Sequence, residues 1–375
     1  MIAAALSLLV VSFALGVGLC GLTRRLAPRV NLVDKPGGRK AHERVTPLGG
    51  GVAIWASMVA VLALGGLYLA AGAPGLPEEL SRYVGGLKSR AWELGGLMGL
   101  ATVIMLMGLA DDRVGLGWKP RLAAQVGLSV IFVVFFGRIT LFYPFNHPLL
   151  TGTITVLWIV GLTNAFNFLD NMDGLAAGVG LIAAGLFAGA QVSVGSLFVP
   201  AVLLILIGAL GGFLVHNHQP ARLFMGDAGS NFLGFLLGTL TVLGTFTREG
   251  YSPYGVLTPL LVMAVPLYDM TSVILIRARE GRSPFQADRR HFSHRLVARG
   301  LSPRHAVWTI DLVTLTCGLG ALRLHELGRL GASLVVGQSL CVLGLVAILE
   351  NSALPRCIET PERGDATARP AIDTP

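Results

Sequence analysis

The sequence predicts an all-α integral membrane protein with about eleven transmembrane helices. Composition is the first sign: of 375 residues, 53% are hydrophobic and 13% charged, against about 25% charged in a soluble domain. The second is length. Apolar runs able to cross a hydrocarbon core of about 30 Å recur from one end of the chain to the other. The third is charge placement, because most of the 29 Lys and Arg fall in alternate connections, as they do in loops kept on the cytoplasmic side. That placement also accounts for the net charge of +8, so no nucleic-acid partner is expected. The same numbers exclude a large soluble domain.

Taken in order, the spans are 2–22, 48–71, 92–110, 122–137, 150–166, 174–192, 197–216, 230–246, 253–276, 306–322 and 330–349. No Lys or Arg precedes the first run, whereas Arg24, Arg25 and Arg29 follow it. This charge order predicts an uncleaved first helix with its N-terminus outside, not a signal peptide. An odd number of crossings then puts the C-terminus in the cytoplasm. Residues 1–350 form one polytopic membrane domain, and 351–375 are expected to be a disordered cytoplasmic tail. Cys20, Cys317, Cys341 and Cys357 include no CxxC pair, so neither a disulfide framework nor a zinc site is expected. The outside connections read as short and plain, and the inside ones carry nearly all the unusual residues.

Three acidic segments converge on that inside face. Asp111-Asp112 closes the third span, where a helix C-terminus is a poor place for negative charge. Two adjacent carboxylates there repel each other unless a cation lies between them. Asn164, Asn167, Asp170 and Asp173 recur every three residues at the end of the fifth span. A helix continuing through them would align their oxygens for a hard cation such as Mg²⁺. Phe224-Met-Gly-Asp-Ala-Gly-Ser opens the eighth span. Its glycines and fresh helix N-terminus suit an anion, and Asp227 suits a metal bridging to a phosphate. Asp269, within the ninth span, is as compatible with an ion pair as with function, and Asp311 reads as structural.

The basic residues complement the acids. Asp288-Arg-Arg-His-Phe-Ser-His-Arg-Leu ends the longest inside loop. In it Arg289, Arg290 and Arg295 have the forked donors that grip phosphate oxygens, with His291 and His294 on one helical face. Lys119 and Arg121 follow the aspartate pair and are expected to balance a lipid phosphate. The first inside loop, Val33-Asp-Lys-Pro-Gly-Gly-Arg-Lys-Ala-His, carries Lys40 and suits closure over an anionic substrate.

With these motifs in place, the chain resembles the polyprenyl-phosphate N-acetylhexosamine-1-phosphate transferases, known as glycosyl transferase family 4, over residues 30 to 305. The resemblance implies an Mg²⁺ enzyme (Mn²⁺ being an alternative) of ten or so helices with its site on the cytoplasmic face. Its substrates would be a UDP-sugar and polyprenyl phosphate, and homodimers occur among such proteins. By the resemblance, Asp111 is the base toward the lipid phosphate and Asp112 its partner. Asp227 and Asn167 face the metal, Asp170 and Asp173 lie near metal and nucleotide, Phe224 and Asn217 contact uracil, and His291 and His294 form the loop's histidine motif. Two positions depart from the family pattern: Asn171 replaces a glycine and Ser293 a histidine. The first loop favours UDP-N-acetylglucosamine over UDP-MurNAc-pentapeptide. The rival class is an ion-coupled transporter, which predicts carboxylates near the bilayer midplane and not at helix ends.

Overall fold

The computed structural model describes residues 2–34, 45–75, 77–139, 147–246, 250–284 and 290–351. The expected tail, 351–375, lies outside them from 352 on. Every predicted span is matched by helix, numbered here in chain order: α1 (Ile2–Leu26), α2 (Gly50–Ala70), α4 (Ala91–Val114), α5 (Trp118–Phe135), α6 (Pro148–Leu169), α7 (Leu175–Ser193), α8 (Phe198–Asn217), α9 (Gly226–Leu243), the pair α10 (Thr258–Val262) and α11 (Ala264–Arg279), α13 (Pro303–Ala321) and α14 (Arg329–Asn351). The protein is an all-α integral membrane protein. Eight of these helices are long and apolar enough to cross a bilayer, and the bent pair makes a ninth. The eleven-span reading counts α9 and α13 as well, whose polar residues (Asp227 and Asn231 in one, Arg304, His305 and Asp311 in the other) lower their apolarity.

Three features differ from the sequence reading. The connection after α2 is not plain, because it holds a twelve-residue amphipathic helix, α3 (Glu78–Ser89). The ninth span is broken, α10 meeting α11 at an angle of 59°. Pro266 explains the break: its ring clashes with the carbonyl four residues earlier, that of Val262, where α10 ends. A further short helix, α12 (Phe292–Ala298), forms within the longest inside loop.

Helix α9 is the centre of the bundle, with every residue from Ala228 to Thr241 buried. A helix opening on Gly-Asp-Ala-Gly-Ser-Asn is costly against lipid, and α2, α4 and α6 surround it instead. Glycine allows the contact. A Cβ on Gly51 would lie 2.1 Å from the Gly229 nitrogen, and one on Gly108 would lie 2.3 Å from the Asp227 carbonyl oxygen.

Two short strands, β1 (Val33–Asp34) and β2 (Thr46–Pro47), pair antiparallel within the connection between α1 and α2. Residues 35–44, Lys40 among them, lie outside the described residues. The returning strand is stitched to the segment before α9: Phe224 N–H donates to the Pro47 carbonyl at 2.9 Å, and Gly50 N–H donates to the Phe224 carbonyl at 2.9 Å.

Candidate active site

The end of the bundle where α4, α6 and α8 finish and α5, α7 and α9 begin gathers the polar motifs. Its pivot is Gly226, at φ +73°, where a Cβ would meet Asp112 Oδ2 at 2.6 Å. Only glycine turns this tightly beside a carboxylate. Asp112 then occupies the first amides of α9. Asp227 N–H donates to Asp112 Oδ1 at 2.8 Å, and Ala228 N–H donates to Asp112 Oδ2 at 3.1 Å, with the Asp170 carboxyl near the Gly226 amide. The helix N-terminus does attract an anion, and that anion is supplied by the chain itself.

Asp227 faces the opening. Its Oδ1 accepts from Asn167 Nδ2 at 2.6 Å, and its Oδ2 lies 3.4 Å from Arg121 Nη1. The same guanidinium nitrogen donates to Asp111 Oδ2 at 2.5 Å. The Asp111 side chain is 5% exposed and that of Asp227 34%, so Asp227 is the carboxylate a ligand can reach. Below it runs a buried amide chain: Asn164 Nδ2 donates to Gln125 Oε1 at 2.6 Å, Gln125 Nε2 to Asn231 Oδ1 at 3.0 Å, and Asn231 Nδ2 to the Asp227 carbonyl at 2.8 Å. Its groups satisfy one another, which fixes α5, α6 and α9 in register.

The charge balance favours a cation. Burial, together with the nearby Asp227, Asp112 and Asp173 charges, holds the Asp170 carboxyl well above the usual carboxylate range, against the pull of the Gly226 amide. Among the described residues no three His, Cys or acidic side chains make a ready metal cage. Asp227 offers its carboxylate, and turning over the Asn167 amide, whose Nδ2 faces Asp227, would bring its carbonyl oxygen in as a second oxygen ligand. Such a pair suits a Mg²⁺ that keeps several waters and completes its shell with substrate phosphates.

A second cluster forms on α12. Asp269, fully buried on α11, accepts from the Phe292 amide at 2.6 Å and bonds His291 Nδ1 at 2.9 Å. The His291 ring stands edge-on to Phe168, 5.5 Å between centroids, and 6.4 Å from His294. Phe168 also lies 5.2 Å from the guanidinium carbon of Arg277, an arginine only 2% exposed. Asp269 thus orients His291, which caps the start of α12 and packs on Phe168 at the end of α6.

Residues 94–245 match glycosyl transferase family 4. The chain is 31% identical over 311 residues to a probable undecaprenyl-phosphate N-acetylglucosaminyl 1-phosphate transferase of Bacillus subtilis, a match covering 81% of this chain and 80% of that one. It belongs to glycosyl transferase family 4. A decaprenyl-phosphate N-acetylglucosaminephosphotransferase of Mycobacterium tuberculosis is 34% identical over 322 residues, 78% of this chain and 75% of its own. An undecaprenyl-phosphate alpha-N-acetylglucosaminyl 1-phosphate transferase of Escherichia coli is 28% identical over 312 residues, 80% of this chain and 78% of its own.

In this family 4 protein several of the expected site residues also hold the fold together. Asn217 is buried, accepting from the Gly174 amide at 2.9 Å and donating to the Leu223 carbonyl at 2.9 Å, which ties the start of α7 to the segment before α9. Asp173 accepts from the Ala221 amide at 2.9 Å. The oxygen stripe predicted from Asn164 to Asp173 does not form, because α6 ends at Leu169 and only Asn167 meets Asp227. Arg121 pairs with Asp111 and lies beside Asp227, which gathers the two aspartates expected at the site around one guanidinium. Asp112 acts as the cap of α9.

Among the basic residues, Arg295 bonds the Arg290 carbonyl, Ser272 and the buried Glu350 of α14. It ties α11, α12 and α14 together. Arg290 pairs with Glu280. Lys119 is exposed, its ammonium 5.8 Å from the Trp118 ring. Phe224 is half-buried at the rim beside Asp227, and Arg289 lies outside the described residues. Sequence reasoning missed Gln125, Asn231, Arg277 and Glu350. Gln125 and Asn231 are polar residues inside apolar spans, which is the signal that marks them; Arg277 and Glu350 lie one residue past the ends of two other spans, where a charge is ordinary.

Proposed function

We propose that this protein transfers N-acetylglucosamine-1-phosphate from UDP-N-acetylglucosamine to a polyprenyl phosphate, releasing UMP, on the cytoplasmic face of the membrane. The observation that carries it is the convergence of Asp227, Asn167, Arg121 and Asp111 at one end of the bundle, with Asp227 open and its neighbours locked. The relatives' names supply the substrates, and the basic inside loops support the cytoplasmic side.

In this reading an oxygen of the lipid phosphate attacks the β-phosphorus of the donor. The bond from that phosphorus to the bridging oxygen breaks, and UMP leaves with the electron pair. Mg²⁺, held by Asp227 and Asn167, would draw charge from the diphosphate and make UMP a better leaving group. The chain's own residues do the rest. Asp112 and Asp170 fix the start of α9, which aims Asp227. Arg121 neutralises Asp111 and stands beside Asp227, where charge spreads over phosphoryl oxygens. Asp269 holds His291 by Nδ1, presenting the histidine face of α12 to the donor.

The test is a donor screen. Purified protein is given undecaprenyl phosphate with UDP-N-acetylglucosamine, UDP-N-acetylgalactosamine or UDP-MurNAc-pentapeptide, each with Mg²⁺ or EDTA, and UMP is measured. Release with the first donor alone, abolished by EDTA, is expected. Release only with the pentapeptide donor, or release indifferent to EDTA, overturns the reading.

A further inference from the structure

We propose that the hydrogen bond between Asn171 and Ser293 is a positioning latch that sets where the sugar diphosphate sits between the metal-side residues and the histidine pair. The inference rests on the donor reading above and names two residues that touch none of the reacting groups. Ser293 is 1% exposed, and its hydroxyl donates to Asn171 Oδ1 at 2.5 Å. A hydroxyl this deeply buried is costly without a partner. The other end of the Asn171 amide donates to the Phe168 carbonyl at 2.6 Å, so the acceptor is aimed by its own turn.

The connectivity gives the bond its meaning. Asn171 follows Asp170, whose carboxyl lies near Asp227, Asp112 and the Gly226 amide at the start of α9. Ser293 lies between His291 and His294 on α12. The latch therefore joins the turn that supports Asp227 to the element that carries the histidines, across 122 residues of sequence. Phe168, one turn before Asn171, is flanked by His291 and Arg277 and backs the same junction. An ordinary capping bond would be local. This one joins α12 to the turn after α6, and both departures from the family pattern lie in it.

Steady-state UMP release tests the latch in Ser293→Ala, Asn171→Ala, the double variant and Ser293→Thr, varying donor and lipid separately. Each single alanine variant is expected to raise the KM for UDP-N-acetylglucosamine about five- to tenfold, the worth of one buried hydrogen bond. The KM for polyprenyl phosphate should stay within about twofold, since the lipid does not bridge the two clusters. The double variant should be no worse than either single one, and Ser293→Thr, which keeps the hydroxyl, should restore the donor KM. General loss of folded enzyme would lower turnover and leave both KM values alone. An unchanged donor KM, single effects that multiply in the double variant, or a threonine variant as impaired as the alanine one overturns the proposal. If Ser293→Ala does not fold, Asn171→Ala against Ser293→Thr reads the same bond. A wild type that turns over no UDP-N-acetylglucosamine sinks the donor reading and this proposal with it.

Discussion

Replacing Asp112 by Asn preserves the size of the side chain and removes its charge, and the effect can be worked out from two distances. The carboxylate accepts the Asp227 amide at 2.8 Å and the Ala228 amide at 3.1 Å. A carboxamide accepts through one oxygen and turns its NH₂ toward the other donor. One N–H then loses its partner, which costs about 1–3 kcal/mol. Losing the negative charge at the start of α9 adds roughly 0.3–1 kcal/mol. The sum, about 1–4 kcal/mol, falls on the turn that carries Asp227. As 1.4 kcal/mol is about tenfold in an equilibrium, a metal site sharing half of that cost weakens about tenfold. Thermal unfolding of the detergent-purified variant in EDTA, and UMP release against Mg²⁺ concentration, read the two consequences. Wild-type unfolding together with wild-type Mg²⁺ half-saturation would refute the capping role.

Other perturbations separate the remaining residues. Arg121→Met removes the cation beside Asp227, so Mg²⁺ half-saturation should fall while turnover drops by about two orders of magnitude or more; a metal titration with kinetics checks both. Because the Asp170 carboxyl is raised in the folded protein, charging it costs stability as pH climbs from the ordinary carboxylate range through the raised value. Asp170→Asn does not titrate, so in EDTA its unfolding temperature should gain on wild type across that window, and saturating Mg²⁺ should close the gap. Glu350→Ala breaks a pair whose side chains are 3% and 16% exposed and strands Arg295; a loss of about 3–5 kcal/mol is expected by detergent unfolding assays, with α12 loosened.

Much of the architecture was legible because lipid imposes one rule, and long apolar runs have few other uses. Helix α3 escaped because it is short and amphipathic, with no apolar run to announce it. The bend before α11 was written in Pro266, yet the surrounding hydropathy is continuous. At the site, the residue types and the shared face were readable, since Asp111, Asp227 and Asn167 are polar side chains at helix ends. What each side chain holds was not. Asp112 reaches 115 residues forward to cap α9, Asn217 reaches back 43 to Gly174, and the Arg295 partner is on the last helix. Pairings of that range are decided by packing. At the start of α9, the Gly-rich turn and fresh helix N-terminus announce an anion, and the structure adds the Asp112 carboxylate on its amides.

The central claim is that Asp227 and Asn167 hold one divalent ion. Mn²⁺ titration of the purified protein, followed by electron paramagnetic resonance with UDP-N-acetylglucosamine present, measures it directly. One bound ion per chain is predicted for the wild type, lost in Asp227→Asn and weakened in Asn167→Ala. An unchanged stoichiometry and affinity in Asp227→Asn would contradict the account.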